Sequence, residues 1–230
     1  MALKIRWAKD QNCRWHWRGF YRMPAANQCY FFSKRCCMSR AVEHSLAILI
    51  RRRAWSDTSW MVTWLTPVQG KLTTMARGAR RPTSPFAGKL DLFFRGEISY
   101  APSNKSSLHS LREVAIHQPF DASNLPSANL FLCSYFSELA DLITEPGAPV
   151  PELFDLLTRA LTHLQSAPAN LRALEFFEQE AARTLGIHAS GTPALSALES
   201  HCGRVPASRT SLLRMLKTEK ILSSAKGKVG

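Results

Sequence analysis

The sequence has few long apolar runs and few acidic residues in its first half. Its longest apolar stretches, residues 46–50 and 130–133, are far shorter than the ~18 residues that a membrane-spanning helix needs. The N-terminus carries no apolar segment of the kind found in signal peptides, so we expect a cytoplasmic protein. The sequence also contains no P-loop, no G-x-G-x-x-G and no H-E-x-x-H motif. These absences argue against a nucleotide-dependent enzyme or a metalloprotease.

Cysteine is unevenly distributed, since four of the six cysteines lie in the first 37 residues. This distribution does not fit a disulfide scaffold and suggests a reducing compartment. Cys13, His16, Cys29 and either Cys36 or Cys37 could supply four zinc ligands. Their irregular spacing instead favours inert thiols.

Charge is segregated along the chain, which carries a net charge of +13. Residues 1–40 have a net charge of +8 and residues 41–118 of +6. Residues 119–200 have a net charge of −7, and residues 201–230 return to +6. A basic block followed by an acidic block indicates a polyanionic partner for the first part of the chain.

The sequence divides into four segments. Residues 1–40 form a basic extension without sustained periodicity. We interpret it as a disordered arm or as an artefact of the assigned start, because Met38 begins an ordinary protein segment. Residues 41–118 are predicted to form one domain and residues 119–222 a second, helical one. Residues 223–230 are predicted to be a flexible tail.

The first domain has the pattern of a small barrel. Apolar, β-branched and aromatic residues predict strands over residues 46–50, 60–66, 71–77, 90–100 and 108–116. Five short strands in fewer than about 80 residues favour a closed barrel, which leaves no exposed sheet edge.

The second domain has a helical period. Apolar residues repeat at helical spacing from residue 125 onward and again over residues 153–164 and 171–185. Residues 189–197 are rich in small residues and are predicted to be loop. Residues 211–222 are predicted to form a last basic helix.

Eight basic residues on strands or loops of the predicted barrel are candidate phosphate contacts. Successive strand residues point to opposite faces, so Arg51 and Arg53 should share one face and Arg52 the other. A positive groove of this kind can hold a nucleic-acid strand. The candidates are Arg51, Arg52, Arg53, Lys71, Arg77, Arg80, Arg81 and Lys89.

Three tryptophans of the same region are candidate stacking platforms for nucleic-acid bases. They are Trp55, Trp60 and Trp64. Large aromatic side chains are more often buried than exposed, so core packing is the competing interpretation for each of them.

Residues 70–72, 76–81 and 86–90 read Gly-Lys-Leu, Ala-Arg-Gly-Ala-Arg-Arg and Phe-Ala-Gly-Lys-Leu. They resemble the hairpin-and-loop signature of the RecO family, and the similarity extends over about residues 41–187. The resemblance implies an α+β protein with an N-terminal five-stranded OB-fold barrel and an all-α helical domain.

The resemblance also implies a function. RecO-type mediators bind single- and double-stranded DNA and anneal complementary strands. With RecR, they help to load RecA onto DNA coated by single-stranded DNA-binding protein, in the RecF pathway of DNA repair and recombination. Such a protein is not an enzyme, needs no cofactor and would be associated with the nucleoid. The eight basic residues would contact phosphates, and RecR would be a direct partner.

The sequence departs from the family pattern at a possible metal site. Some members have a four-cysteine zinc site after the third helix. This chain has only His201 and Cys202 there, so we predict no metal.

Two other functions are compatible with parts of the sequence. A basic OB-fold could instead bind structured RNA. Asp121, Glu138, Asp141 and Glu145 could belong to a metal-dependent DNA-processing enzyme, although their helical spacing is more typical of a solvated acidic face. Cys133 lies on an apolar helical stretch and is interpreted as a core residue.

Overall fold

The computed structural model describes residues 41–188 and 191–226, with side chains through residue 218, and the backbone of two short strands near the N-terminus. The chain divides into two compact units, Met1–Met38 and Ser39–Gly230. In the first unit, β1 (Ala8–Lys9) pairs with β2 (Trp15–His16) in antiparallel fashion. Apart from these strands, the prediction for the N-terminal extension and its candidate zinc ligands lies outside the described residues.

The second unit begins with a closed five-stranded barrel in the order β3-β4-β5-β7-β6. Its neighbouring strands are antiparallel except for β5 and β7, which are parallel. This is the OB-fold, so the predicted fold class is confirmed. The strands are β3 (Glu43–Ala54), β4 (Trp60–Thr66), β5 (Gly70–Ala76), β6 (Arg95–Ala101) and β7 (Leu108–Gln118).

The middle of strand β3, residues 47–50, is buried on both faces and therefore carries an unbroken apolar run. Ala47 and Leu49 point into the barrel core, where they join Val62 of β4. Ile48 and Ile50 belong instead to the core of the helical domain. A strand covered on both sides loses the alternation of polar and apolar residues that marks a half-exposed strand.

The strand predicted over residues 90–100 is shorter in the structure, where β6 begins at Arg95. Phe93 has a φ of 69°, which a β-strand does not allow. Its backbone N–H donates to the carbonyl of Leu49 at 2.9 Å, and its ring packs edge-on against Phe120. The apolar residues before β6 therefore anchor a turn to two neighbouring segments, next to the β-bulge between Leu49 and Arg51.

Five helices follow the barrel. The helices are α1 (Ser127–Ile143), α2 (Pro151–Ser166), α3 (Leu171–Thr184), α4 (Ala194–Cys202) and α5 (Ser208–Lys226). The prediction of loop over residues 189–197 is wrong from Ala194 onward, where the short helix α4 begins. Its residue Leu198 is buried and packs α4 against α3. Residues 223–226, predicted to belong to the tail, continue the last helix. No described helix is both long and apolar enough to cross a bilayer.

The barrel and the helical domain are joined by backbone hydrogen bonds. The β4–β5 hairpin lies against the linker between α1 and α2, and Gly70 bridges to Pro146. The N–H of Gly147 donates to Gln69 at 2.9 Å, and the N–H of Val150 donates to Pro67 at 3.1 Å. The hairpin position is therefore set by the helical domain as well as by the barrel.

Candidate nucleic-acid interface

The outward faces of β3, β4 and β5 present two rows of side chains that follow the strand register. Arg53 lies opposite Met61, which in turn lies opposite Met75. One step along, Arg51 lies opposite Thr63. Neighbouring strands are about 4.8 Å apart, so the first row crosses roughly 10 Å of surface. The predicted alternation is present, since Arg52 lies opposite Val62, which points into the barrel core.

An open groove of about 500 Å³ lies at the Met75 end of this row. Trp55 is the prominent side chain of the groove and is 56% exposed. An exposed indole beside cations provides both a stacking surface and phosphate contacts, which are the two elements that a single-stranded nucleic acid needs. The groove is lined by Trp55, Ser56, Thr58, Ser59, Met75, Arg77, Gly78 and Arg81.

Local hydrogen bonds fix the shape of this groove. After β5, Gly78 takes a φ of +67°, and its carbonyl accepts from the N–H of Arg81 at 3.0 Å. The N–H of Arg80 donates to the carbonyl of Thr58 at 3.0 Å, which ties this turn to the β3–β4 loop. The two walls of the groove therefore support each other, and Arg77 and Arg81 are held at its edge.

Two of the candidate phosphate contacts, Arg52 and Arg80, lie against the ring of Trp60. The guanidinium carbons of Arg52 and Arg80 lie 4.7 Å and 5.1 Å from the centre of the indole ring. Arg52 also pairs with Asp91 at 2.9 Å, and Arg80 donates to the carbonyl of Ser56 at 2.8 Å. Both side chains are thus engaged in cation–π and polar contacts that stabilise this end of the barrel.

The three candidate tryptophans have different environments. Trp64 is a core residue whose indole N–H donates to Thr74 at 2.8 Å. Trp60 is half-buried beneath the two arginines. Trp55 alone among the three presents a largely exposed ring, so it is the best placed for stacking on a base.

Two further candidates, Arg51 and Lys71, face the helical domain. Arg51 pairs with Asp141 of α1 at 2.9 Å, and Lys71 pairs with the same carboxylate at 3.2 Å. The ammonium of Lys71 also donates to the backbone carbonyl of Asp141 at 2.6 Å. In this structure a protein carboxylate occupies the position that a phosphate would take beside these cations.

The remaining four candidates have no such partner. Among the side chains that the structure describes, no carboxylate forms an ion pair with Arg53, Arg77, Arg81 or Lys89. Three of these four, Arg53, Arg77 and Arg81, are exposed. A phosphate that bound to these three side chains would displace no carboxylate of the described residues.

Two buried groups, Tyr100 and Cys133, have pKa values that are raised by their surroundings. Tyr100 donates to Glu43 at 2.6 Å, which lowers the pKa of Glu43, while burial raises the pKa of Tyr100. Burial raises the pKa of the Cys133 thiol to about 12, so it stays protonated and is a core residue, as interpreted from the sequence. Within the described residues no three His, Cys, Asp or Glu side chains come together as metal ligands.

A second groove, of about 420 Å³, lies between α2 and α3 and was missed by the sequence reasoning. Its wall includes Phe176, which is 53% exposed. Arg159, His163 and Arg172 line it as well. The signal in the sequence was Phe176, which lies outside the apolar stripe formed by Leu174, Phe177 and Ala181 on the same helix.

Together these features define an OB-fold protein with a cationic, aromatic groove and an appended helical domain. The sequence pattern described as "Recombination protein O N terminal" matches residues 38–120. The pattern described as "Recombination protein O C terminal" matches residues 127–192. The chain belongs to the RecO family.

Curated relatives agree with this assignment. The chain is 30% identical over 159 residues to the DNA repair protein RecO of Rhodopirellula baltica, an alignment that covers 69% of this chain and 57% of the relative. It is 30% identical over 170 residues to that of Desulfosudis oleivorans, covering 74% and 65%. It is 31% identical over 151 residues to that of Salinibacter ruber, covering 64% and 57%. The matched part of the chain thus spans less than two thirds of each relative.

Proposed function

We propose that this chain binds single-stranded DNA in the groove beside Trp55 and acts as a RecO-type mediator of DNA repair by recombination, without bond-breaking chemistry. The observation that carries the proposal is the exposed indole between cations that have no carboxylate partner among the described side chains. Bases would stack on Trp55, while Arg77 and Arg81 contact phosphates. Arg53, at the other end of the row through Met61, would contact the next part of the strand.

The finer activities follow from this mode of binding. Contacts to the phosphate backbone position a strand without reading its sequence, and they screen the repulsion between two strands. Such a surface can also accept duplex DNA and promote annealing. Loading of RecA with RecR onto DNA coated by single-stranded DNA-binding protein, in the cytoplasm and at the nucleoid, is proposed from family membership.

The groove can be tested by replacing Arg77 and Arg81 together with alanine. We expect weaker binding of a labelled oligo(dT), and a dependence of log K on log salt that is flatter by about 1.4, because each lost contact with a single strand removes about 0.7. Trp55→Ala should weaken binding by about 1–3 kcal/mol with little change in the salt dependence.

The matched control for this experiment is Lys105→Ala/Arg183→Ala, which removes the same charge at two exposed positions outside the groove. Unchanged affinity and salt dependence in the Arg77/Arg81 variant would show that the groove is not the contact. Tighter binding of structured RNA than of single-stranded DNA by the wild-type chain would favour the alternative RNA-binding module.

We propose that the α2–α3 groove binds an acidic, apolar segment of single-stranded DNA-binding protein. Charge complementarity supports this occupant, because Arg159 and Arg172 are two of only three basic residues in the acidic stretch from 119 to 200. The exposed ring of Phe176 would receive the apolar side chains of the segment.

This docking proposal predicts weaker partner binding in Arg159→Ala/Arg172→Ala. The affinity for purified single-stranded DNA-binding protein, measured by calorimetry, should fall by about tenfold or more, since a hydrogen bond to a charged group contributes about 1.5–3 kcal/mol. Oligo(dT) binding should stay unchanged. An unaltered affinity for the partner protein would show that the α2–α3 groove is not the docking site.

A further inference from the structure

The described part of the last basic block of the sequence lies on the end of α4, on α5 and on the loop between them. Residues 201–230 contain seven basic residues and one acidic residue, directly after the acidic stretch from 119 to 200. The barrel groove does not involve this block. Helix α5 therefore offers a cationic surface that the proposed function has not yet used.

One side of α5 is firmly anchored in the helical domain. Leu212 and Leu216, four residues apart, are buried in the domain core. Arg209 donates from Nε to the buried carboxylate of Glu178 at 2.7 Å, and Tyr135 donates to the same carboxylate at 2.6 Å. These contacts fix the rotation of the helix about its axis, and hence which residues face outward.

The outward side of α5 presents only cations and hydroxyl groups over the part with described side chains. Arg214 and Lys217 are three residues apart, so they are neighbours on the helix surface. No acidic residue occurs between Glu199 and Glu219. We call the exposed set the α5 stripe, and its members are Thr210, Ser211, Arg214, Lys217 and Thr218.

We propose that the α5 stripe is a second phosphate-binding site, which holds the backbone of a second DNA strand while the barrel groove holds the first. Arginine, lysine, serine and threonine are the side chains that most often bind phosphate oxygens. The inference rests on the proposed function, because it explains how one chain could bring two complementary strands together. The net charge of −7 over residues 119–200 disfavours DNA on the remainder of this domain.

The stripe can be tested with the full chain by Arg214→Ala/Lys217→Ala. Both side chains are exposed, so the variant should keep its thermal melting temperature. Oligo(dT) binding should stay within about twofold of wild type, because the barrel groove is intact. The annealing rate of two complementary labelled oligonucleotides, followed by energy transfer, should fall by about fivefold or more, with a flatter dependence on salt.

The control is again Lys105→Ala/Arg183→Ala, which removes two exposed positive charges outside the barrel groove, the α2–α3 groove and the α5 stripe. An unchanged annealing rate in the stripe variant overturns the inference, as does an equal loss in the control. A loss of oligo(dT) affinity as large as in the Arg77/Arg81 variant shows one continuous site and also overturns it. So does a wild-type chain that binds single strands but does not anneal them. If the wild-type chain binds no single strand, the proposed function is contradicted. In that case the inference is tested by duplex binding, and unchanged duplex binding in the stripe variant overturns it.

Discussion

At the scale of single residues, Gly70 determines how closely the barrel and the helical domain approach each other. It adopts a φ of +59°, which only glycine reaches without strain. A Cβ at this position would lie 2.6 Å from the carbonyl oxygen of Glu145 and would also overlap that of Ala148. The hairpin and the linker can therefore approach this closely only because this residue has no side chain.

Gly70→Ala should lower the free energy of unfolding by about 3 kcal/mol, because backbone strain of about 1–3 kcal/mol adds to the displacement of the linker. Gly88→Ala is a matched control, since Gly88 has a φ of +68° but open space around the added Cβ. It should cost only about 1 kcal/mol. Equal losses for the two variants in urea unfolding would show that the close approach at Gly70 contributes nothing.

At the scale of a secondary-structure element, α5 is held by a buried ion pair. Glu178 of α3 is only 3% exposed and accepts hydrogen bonds from Tyr135 and from both Nε and an Nη of Arg209. These bonds raise the pKa of Arg209, and burial raises the pKa of Tyr135. One carboxylate thus joins α1, α3 and α5 in the orientation on which the α5 stripe depends.

Glu178→Ala should destabilise the chain by about 3–5 kcal/mol, because it leaves the partly buried Arg209 without its counter-charge. Glu180→Ala removes an exposed ion pair with Arg183 on the same helix and should cost less than about 1 kcal/mol. Urea unfolding of both variants and of Arg209→Ala gives the comparison. A loss for Glu178→Ala no larger than for Glu180→Ala would contradict the anchoring role.

At the scale of the whole second unit, Asp141 divides the cations of the barrel into two sets. Arg51 and Lys71 hold the helical domain against the barrel through this carboxylate, whereas Arg77 and Arg81 line the open groove. On the proposed function, the helical domain would therefore limit how far a bound strand extends over the outer face of β3 and β5.

Arg51→Ala/Lys71→Ala should lower the stability by about 1–3 kcal/mol, because Asp141 is left partly buried without a partner. Oligo(dT) affinity should change by no more than about twofold at constant salt, in contrast to the loss in the Arg77/Arg81 variant. A loss of affinity as large as in that variant would show that Arg51 and Lys71 also contact phosphates.

Local patterns determined much of the fold. Apolar, β-branched and aromatic residues predicted the five strands, because these side chains fit a pleated sheet. The helical period of apolar residues predicted four of the helices, because side-chain direction in a helix repeats every 3.6 residues regardless of distant contacts. The turn at Phe93 and helix α4 were not predicted, because they depend on contacts with residues that are distant in sequence. The turn at Phe93 depends on Leu49 and Phe120, and α4 is stabilised by burial of Leu198, so neither has a strong local signal.

The sequence by itself determined that a small basic barrel precedes an acidic helical domain, since composition and period are properties of the chain alone. Tertiary structure alone decided the role of each cation. Arg51, Arg52 and Arg53 are identical and adjacent, yet the first pairs with Asp141 and the second with Asp91. The third has no carboxylate partner among the described side chains. The physical reason is that an ion pair depends on the distance to a partner many residues away, and only folding fixes that distance.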